Sequence, residues 1–168
     1  MEEDRKKVKK IRIELIVYGL AVLMLLFSIF FRLNFRIYKN STLSMYPTID
    51  VGDYSIATFN FKEINRGDMI AFKDPFGSGD NYIKRVIGLP NETIEIKDHE
   101  LYISGEKYDD IFKSSEIPET YYEIVLESDE YFVMGDNRSI SLDSRDFGPI
   151  KYQDIIAKVI RVVKSPVD

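Results

Sequence analysis

Two hydrophobicity patterns divide the chain near Tyr38. Residues 15–31, LIVYGLAVLMLLFSIFF, form an apolar run without a charged residue. Beyond Tyr38, short runs rich in β-branched and aromatic residues alternate with turn residues, a pattern typical of β-strands. The sequence therefore predicts one long apolar α-helix followed by a mainly β domain of antiparallel sheets.

The β pattern predicts eight strands separated by Gly, Pro, Asn or Asp residues, which favour turns. A different pattern occurs at residues 106–120, EKYDDIFKSSEIPET, which show no strand alternation and are predicted to form an exposed insertion. The strands are predicted at residues 54–59, 68–73, 82–89, 93–97, 100–105, 121–126, 130–135 and 155–164.

The apolar run is long enough to cross a bilayer. As a helix its 17 residues would span roughly 26 Å, close to the ~30 Å hydrocarbon core of a membrane. A buried core helix and a cleavable signal peptide are the alternatives. No other segment is as uniformly apolar, and no small-x-small cleavage site follows the run. We therefore predict an uncleaved transmembrane signal-anchor at residues 15–31.

Charge is distributed unevenly around the predicted anchor. Residues 1–12 carry six Lys or Arg residues against three acidic ones, whereas the whole chain has a net charge of −5. Lys and Arg are enriched on the cytoplasmic side of membrane spans. The bias predicts a cytoplasmic head at residues 1–14 and a single pass through the lipid bilayer. The domain at residues 32–168 would then lie on the extracytoplasmic face.

Composition narrows the possible chemistry. The chain has no cysteine, which excludes disulfides and a cysteine nucleophile, and its negative charge argues against nucleic acid as a partner. The single histidine, His99, falls in a predicted turn, so a Ser-His-Asp triad is disfavoured and a three-histidine zinc site is impossible. A pair of carboxylates stays open as an alternative. We predict no metal and no cofactor.

Lysine is the remaining base that could activate a serine. Its amine must be neutral to accept a proton, and burial lowers its pKa from about 10.4. Ser44 lies in SMYPT, just beyond the anchor. In NYIKRVIGLP, strand alternation places Tyr82, Lys84 and Val86 on one face, with no carboxylate in the run. A lysine that faces solvent is the alternative, and spacing alone does not decide between them.

A second serine–lysine spacing occurs at Ser104-Gly-Glu-Lys107. The Ser-x-x-Lys motif operates at the start of a helix, together with Ser-Asp-Asn and Lys-Thr-Gly motifs. Here the spacing falls in a glycine-containing turn after a strand, and neither companion motif is present. We interpret it as a coincidence.

Four segments resemble, in order, those of the type I signal peptidases, membrane-anchored Ser-Lys proteases that remove leader peptides from exported proteins. LSMYPTI (43–49) resembles the nucleophile segment, and VGDYSIA (51–57) resembles the Gly-Asp strand that follows it. RGDMIAFKDP…YIKRVIGLP (66–90) resembles the lysine segment. GDNRSISLDSRDFG (135–148) resembles the family's Gly-Asp-Asn-Arg…Ser-x-Asp-Ser-Arg…Gly segment. Together the matches span most of residues 41–149.

The resemblance implies a role for each matched residue. Ser44 would be the nucleophile and Lys84 its general base, while the Ser44 N–H and the Thr42 hydroxyl would form the oxyanion hole. The turn after the lysine strand has Asn91 where the family more usually has Gly, and Asn tolerates left-handed backbone. The lysine-orienting and supporting residues would be Ser141, Asp136, Asp143 and Arg145, and the substrate groove would include Met45 and Tyr82.

The resemblance also implies a fold, an activity and partners. The expected protein has a signal-peptidase-like β domain and is a serine endopeptidase that acts through an acyl-enzyme at a bacterial cell membrane, alongside the secretion machinery. Its substrates would be signal peptides bound as extended strands, with small residues three and one before the cut. Two alternatives stay open: a self-cleaving repressor of the DNA-damage response, which would be cytosolic, and a tethered β domain without enzymatic activity.

Overall fold

The computed structural model describes residues 1–77, 79–118 and 121–166. It divides the chain into two compact units, Met1–Phe35 and Arg36–Asp168. Residues 78, 119, 120, 167 and 168 of the predicted domain lie outside the described residues, and two of these belong to the predicted insertion.

The first unit is a single helix, α1, at Glu2–Asn34. Within its segment Lys7–Asn34, the most apolar 18-residue window has a mean hydropathy of 2.5 and no part of it is buried, so the length and composition of the helix suit a membrane span. The helix ends where Phe35 adopts an extended conformation. There the Asn34 side-chain amide donates a hydrogen bond of 2.8 Å to the Phe30 carbonyl, satisfying one of the carbonyls that a helix end leaves open.

The second unit is built mainly of β-strands, which confirms the predicted fold class. The eight predicted strands correspond to β2–β6, β8, β9 and β11, and β1, β7 and β10 were not predicted. The strands are β1 (Phe35–Lys39), β2 (Tyr54–Thr58), β3 (Met69–Lys73), β4 (Asn81–Gly88), β5 (Thr93–Lys97), β6 (Glu100–Ile103), β7 (Glu106–Lys107), β8 (Tyr122–Val125), β9 (Glu130–Met134), β10 (Ile150–Lys151) and β11 (Ile155–Val163).

The strands form two sheets. The larger has the order β1-β2-β11-β3-β4-β9-β10, and the smaller has the order β7-β6-β5-β8. From β2 through β10 the larger sheet is antiparallel, as is the whole of the smaller one. A one-turn helix, α2 (Ser144–Phe147), and a 3-10 turn at Tyr152–Asp154 connect β9, β10 and β11.

Strand β4 has a core on each side because its side chains alternate between two faces. Val86 packs in a cluster with Ile70, Phe72 and Val133 of the larger sheet. Its neighbour Ile87 packs in a second cluster, which contains Ile94, Ile96, Leu101 and Phe132 and joins the two sheets. With both faces covered, every residue from Lys84 to Gly88 is buried.

Two residues at the end of β4 and in the turn after it show how the sequence allows this packing. A Cβ added to Gly88 would lie 2.6 Å from the Ile94 Cδ1 atom, so glycine permits β4 to end against the smaller sheet. Asn91, in the turn that follows, has a φ of 66°. This is the left-handed conformation expected at a position where the family more usually has glycine.

Candidate active site

Ser44 lies in a tight turn formed by residues 43–49, here termed the Ser44 turn. A backbone hydrogen bond of 2.9 Å from the Ile49 N–H to the Met45 carbonyl closes it, and the Tyr46–Pro47 peptide is cis. The Met45 and Ile49 side chains are buried. Because these two apolar residues hold the turn against the core, Ser44 itself remains half-buried at the surface.

Strand β4 carries Lys84 to the Ser44 turn. Lys84 pairs across the sheet with Ile70 of β3, and strand alternation places it on the same face as Tyr82 and Val86, as predicted. Its side chain is buried, with 5% of the residue exposed. The Lys84 Nζ atom lies 2.6 Å from the Ser44 Oγ atom. Two residues 40 positions apart are thus in direct hydrogen-bond contact.

The surroundings of Lys84 depress its pKa. Burial disfavours the ammonium form and is the largest influence, lowering the pKa of Lys84 to about 8. The Asp143 carboxylate acts in the opposite direction, as does the more weakly acting Asp136, whereas the Arg145 guanidinium lowers the pKa further. The amine is therefore available as a base at pH values where an exposed lysine is almost wholly protonated.

Two hydrogen-bond donors lie beside the Ser44 hydroxyl: the Thr42 hydroxyl and the Ser44 backbone N–H. The Thr42 Oγ1 atom is 3.2 Å from the Ser44 Oγ atom, and the Thr42 side chain is exposed. Within the described ranges, the Ser44 backbone N–H donates no hydrogen bond. The backbone N–H and the hydroxyl thus both lie at Ser44, and the N–H is not committed to another group of the described residues.

The residues at 135–145, here termed the polar segment, pack against the Ser44 turn. The Asn137 N–H donates a hydrogen bond of 3.1 Å to the Ser44 carbonyl. A Cβ added to Gly135 would lie 2.4 Å from the same carbonyl oxygen. Glycine is therefore needed at this position, since any side chain would push the polar segment away from Ser44.

Asp136 is the centre of the buried polar contacts behind Ser44. The Arg85 Nε and Nη2 atoms donate to its two carboxylate oxygens at 2.7 and 2.6 Å, and the Thr48 hydroxyl donates to it at 2.5 Å. Arg85 also donates to the Gly67 carbonyl at 2.7 Å. Asp136 is fully buried, and its bidentate pairing with Arg85 compensates the charge that burial would otherwise disfavour.

Asp143 organises the far end of the polar segment. It is the N-cap of α2 and forms a capping box there, and one of its oxygens accepts the Gly135 N–H at 3.0 Å. Arg145 pairs with both of its oxygens at 2.8 and 2.9 Å. This ion pair supplies two of the three charges that act on the pKa of Lys84, and the two act in opposite directions.

Three predicted residues occupy environments that the sequence did not specify. Met45 was predicted to line a substrate groove, but it is only 1% exposed and fills the core beneath the turn. Ser141, predicted to orient the Lys84 amine, is buried, and its hydroxyl has no hydrogen-bond partner among the described residues. Tyr82 is half-buried, and the Lys84 Nζ atom lies 5.8 Å from the centre of its ring.

Several residues at the site were not singled out from the sequence. Arg85 and Arg138 both occur within the matched motifs. The sequence could have indicated them, because Arg85 is a charged residue in a predicted strand and Arg138 is a charged residue in a glycine-containing segment. Arg138 is fully buried, paired with Asp110, and donates to the Gly135 carbonyl at 2.7 Å. Asp110 comes from the predicted exposed insertion. It is buried, as is Ile117, whereas the other described residues of that stretch are exposed or half-buried.

The alternative bases lie elsewhere. His99 is exposed and its Nδ1 atom contacts the Ile117 carbonyl at 2.8 Å. Lys107 pairs with Glu100 at 3.2 Å, and the backbone of Ser104 has a φ of 51°, which is not a helical conformation. Within the described part of the chain, no group of three His, Cys, Asp or Glu residues could hold a metal ion.

A second polar cluster holds the other end of the Ser44 turn. The Lys164 amine donates to the Pro47 and Thr48 carbonyls at 3.0 and 3.1 Å and to the Asp53 carboxylate at 2.9 Å. Hydrogen bonds from the Asp50 N–H, the Lys164 amine and the Ser165 N–H lower the pKa of Asp53 to about 2. The carboxylate form of Asp53 therefore fastens the end of the turn to strand β11.

Similarity to known proteins gives the class of protein, a serine peptidase, and its family. The family model described as signal peptidase, peptidase S26, matches residues 11–163. Signal peptidase I V of Bacillus subtilis is 34% identical over 148 residues, which cover 73% of this chain and 82% of that protein. Signal peptidase IB of Staphylococcus aureus is 31% identical over 137 residues, covering 69% and 71%.

A solved structure gives the same result. The crystal structure of a signal peptidase I from Enterococcus faecalis matches with a TM-score of 0.53 and 32% identity, over 61% of this chain and all of that one. The chain belongs to the type I signal peptidase family, serine peptidases that remove signal peptides. It is therefore an enzyme, and neither the non-enzymatic tethered domain nor the self-cleaving repressor describes it.

The low pKa of Asp53 predicts an acid-dependent contribution to stability. A carboxylate whose pKa is depressed on folding stabilises the protein fully above its unfolded value of about 3.9 and loses that contribution as the pH falls towards 2. We expect Asp53→Asn to unfold at a lower temperature than wild type at pH 7, with the difference shrinking towards pH 3. Thermal unfolding of the full chain at both pH values measures this, and Asp109→Asn, at an exposed position, is the control. An equal difference at both pH values would contradict the prediction.

Proposed function

We propose that Ser44 and Lys84 form a catalytic dyad that cleaves signal peptides through an acyl-enzyme. The observation that carries the proposal is the 2.6 Å contact between the Lys84 amine and the Ser44 hydroxyl at a place where burial lowers the pKa of the amine to about 8. A serine is activated when a neutral base lies within hydrogen-bond reach of its hydroxyl. This pair meets both conditions.

In the first half of the reaction, Ser44 Oγ attacks the scissile carbonyl as its proton passes to the neutral Lys84 amine. The resulting ammonium gives that proton to the nitrogen of the leaving peptide, so the amine is neutral again when the acyl-enzyme has formed. A water molecule then loses a proton to the same amine and attacks the ester carbonyl. The signal peptide leaves with a free carboxylate, and the proton on Lys84 returns to Ser44 Oγ.

The pKa of Lys84 determines how much of the enzyme is competent. At pH 7 a pKa of about 8 leaves about a tenth of the amine neutral, whereas the ordinary pKa of about 10.4 would leave less than about 0.1% neutral. The buried environment thus raises the competent fraction by about two orders of magnitude. Arg145 adds to this effect, and its ion pair with Asp143 limits the opposing influence of that carboxylate.

The developing oxyanion would be stabilised by the Ser44 N–H and the Thr42 hydroxyl. The N–H is uncommitted within the described ranges, and the Thr42 Oγ1 atom lies 3.2 Å from the nucleophilic oxygen. A donor of this kind stabilises the transition state more than the bound substrate, because the negative charge on the oxygen develops as the bond forms.

The residues around the dyad would act through position and charge. Asp136 holds Arg85 and Thr48 behind the Ser44 turn. The charges of the Asp143–Arg145 pair act on the pKa of Lys84. Ser141 would accept a hydrogen bond from the Lys84 ammonium that forms during the reaction, since its buried hydroxyl has no partner among the described residues. Its proximity to the turn supports this role, because Ser141 Oγ and Ser44 O both border the space beside Gly135.

The substrate would bind as an extended strand, with the small residues three and one before the cut placed beside Tyr82. Pairing along a strand provides backbone hydrogen bonds that do not depend on sequence, while shallow pockets select small side chains. This mode suits exported proteins, whose signal peptides differ in sequence but share small residues near the cut.

We further propose that residues 15–31 anchor the enzyme with residues 1–14 in the cytoplasm and the catalytic domain, residues 32–168, outside a bacterial membrane, alongside the secretion machinery. The basic head supports this orientation. Ser44 follows the anchor by 13 residues, which reach at most about 47 Å when stretched. Substrate and enzyme would thus be held at the same membrane surface, which raises the effective concentration of the cleavage site.

Removal of either member of the dyad should abolish cleavage. We expect Ser44→Ala and Lys84→Ala to lower kcat by at least about 10³-fold, as losses of paired nucleophile and base do elsewhere. Cleavage of a signal peptide substrate by the detergent-solubilised chain measures this. Ser128→Ala and Lys62→Ala, which change exposed residues of the same types, are matched controls. Wild-type activity in either dyad variant would end the assignment.

Loss of the Thr42 hydroxyl should impair turnover without affecting binding. Thr42→Val keeps the shape of the side chain, so we expect KM and the unfolding temperature to be retained while kcat falls by about 10²-fold or more. Thr42→Ser keeps the donor and should restore most of the rate. A Thr42→Val enzyme with wild-type kcat would show that this hydroxyl does not stabilise the oxyanion.

A further inference from the structure

The segment at residues 110–115, here termed the brace, lies within the stretch predicted as an exposed insertion, and it contacts the Ser44 turn. The Ser114 hydroxyl donates a hydrogen bond of 2.6 Å to the Tyr46 carbonyl, within the turn. The same residue contacts Asp136, with its N–H 2.9 Å and its hydroxyl 3.1 Å from the Asp136 carbonyl. Ser114 thus links the Ser44 turn to the polar segment.

A second contact of the brace reaches the residue that holds the Ser44 carbonyl. The Ser115 hydroxyl lies 3.0 Å from the Asn137 side-chain oxygen. Asn137 in turn donates its N–H to the Ser44 carbonyl at 3.1 Å and its side-chain amide to the Leu43 carbonyl at 3.3 Å. One end of this chain of hydrogen bonds is therefore the backbone of the nucleophilic residue.

The brace is fastened at its other end by a buried ion pair. Asp110 pairs with Arg138, and both side chains are almost completely buried. Asp110 also accepts the Phe112 N–H at 3.2 Å. The Phe112 ring lies against the Arg85 guanidinium, with 4.0 Å between the guanidinium carbon and the ring centre. The brace thus contacts the polar segment directly through this charge pair, and its aromatic ring packs on Arg85, the residue that holds Asp136.

We infer that the brace is a positioning element for the nucleophile, and that Ser114 holds the Ser44 turn in register with Lys84. The brace connects two strands of the smaller sheet, β7 and β8, yet its polar contacts are made with the Ser44 turn and the polar segment. A connection without a role in the site would have no need to place a charged pair in the interior, since an unpaired buried charge is costly. The inference rests on the proposed dyad.

Loss of the Ser114 hydroxyl has a defined consequence. The Tyr46 carbonyl loses its hydrogen-bond donor, which loosens the Ser44 turn over Lys84 and admits water to the amine. Hydration favours the ammonium form and raises the pKa of the lysine towards its ordinary value. The effect should therefore appear in the pH dependence of the rate as well as in its magnitude.

The test compares Ser114→Ala, Ser114→Thr and Ser128→Ala in the full detergent-solubilised chain, by signal peptide cleavage across pH 6 to 10. For Ser114→Ala we expect kcat to fall about three- to tenfold with KM unchanged, and the acid limb of the pH–rate profile to move to higher pH. Ser114→Thr retains the hydroxyl and should restore both. Ser128→Ala, in the exposed turn before β9, should match wild type.

The same experiment separates failure of this inference from failure of the dyad. If Ser44→Ala is inactive while Ser114→Ala has the wild-type rate and pH profile, the brace does not position the nucleophile, although the dyad stands. A lower kcat without a shifted acid limb, or without recovery in Ser114→Thr, would also overturn the inference. If Ser44→Ala retains activity, the proposed dyad itself is wrong.

Discussion

The burial of one lysine amine against one serine hydroxyl is the constraint on which the rest of the domain depends. Moving the pKa of Lys84 from its ordinary value to about 8 corresponds to about 3 kcal/mol of disfavoured protonation. That penalty on folding is complete below pH 8, and it disappears as the pH rises towards 10.4, where the unfolded chain also loses the proton. In the proposed mechanism, this loss of stability at neutral pH is what keeps a base available.

Keeping the amine neutral requires control over the charges around it. Asp143 and Asp136 both favour the ammonium form, yet each is held in a close pair with an arginine, Arg145 or Arg85. The two arginines therefore limit the attraction that the carboxylates exert on Lys84, while the carboxylates keep their structural hydrogen bonds. The brace belongs to this arrangement, because its Asp110 pairs with a third arginine, the buried Arg138 of the same segment.

The sequence predicted the features that depend on local pattern. Strand alternation grouped Lys84 with Tyr82 and Val86 but did not decide whether that face is buried, and only the family resemblance singled out Lys84. The uniform apolar run predicted the helix. The charge partners within the β domain could not be predicted, because Arg85 meets Asp136 across 51 positions and Asp110 meets Arg138 across 28, separations that only the folded topology closes. The burial of Met45 was missed for a related reason: it follows from the direction of the Ser44 turn, which is set by hydrogen bonds from residues distant in the sequence, such as Asn137 and Lys164. Strands as short as β7 and β10 show too little alternation to be recognised.

The most direct test of the account is a titration of the Lys84 amine. Full-length enzyme in detergent, with lysine side chains isotopically labelled, gives the Lys84 signal by NMR as the one missing from Lys84→Arg. The account predicts a midpoint near pH 8, well separated from the exposed lysines at about 10.4. A Lys84 signal that titrates together with the exposed lysines would contradict it, since an amine that is charged at neutral pH cannot take the proton from Ser44.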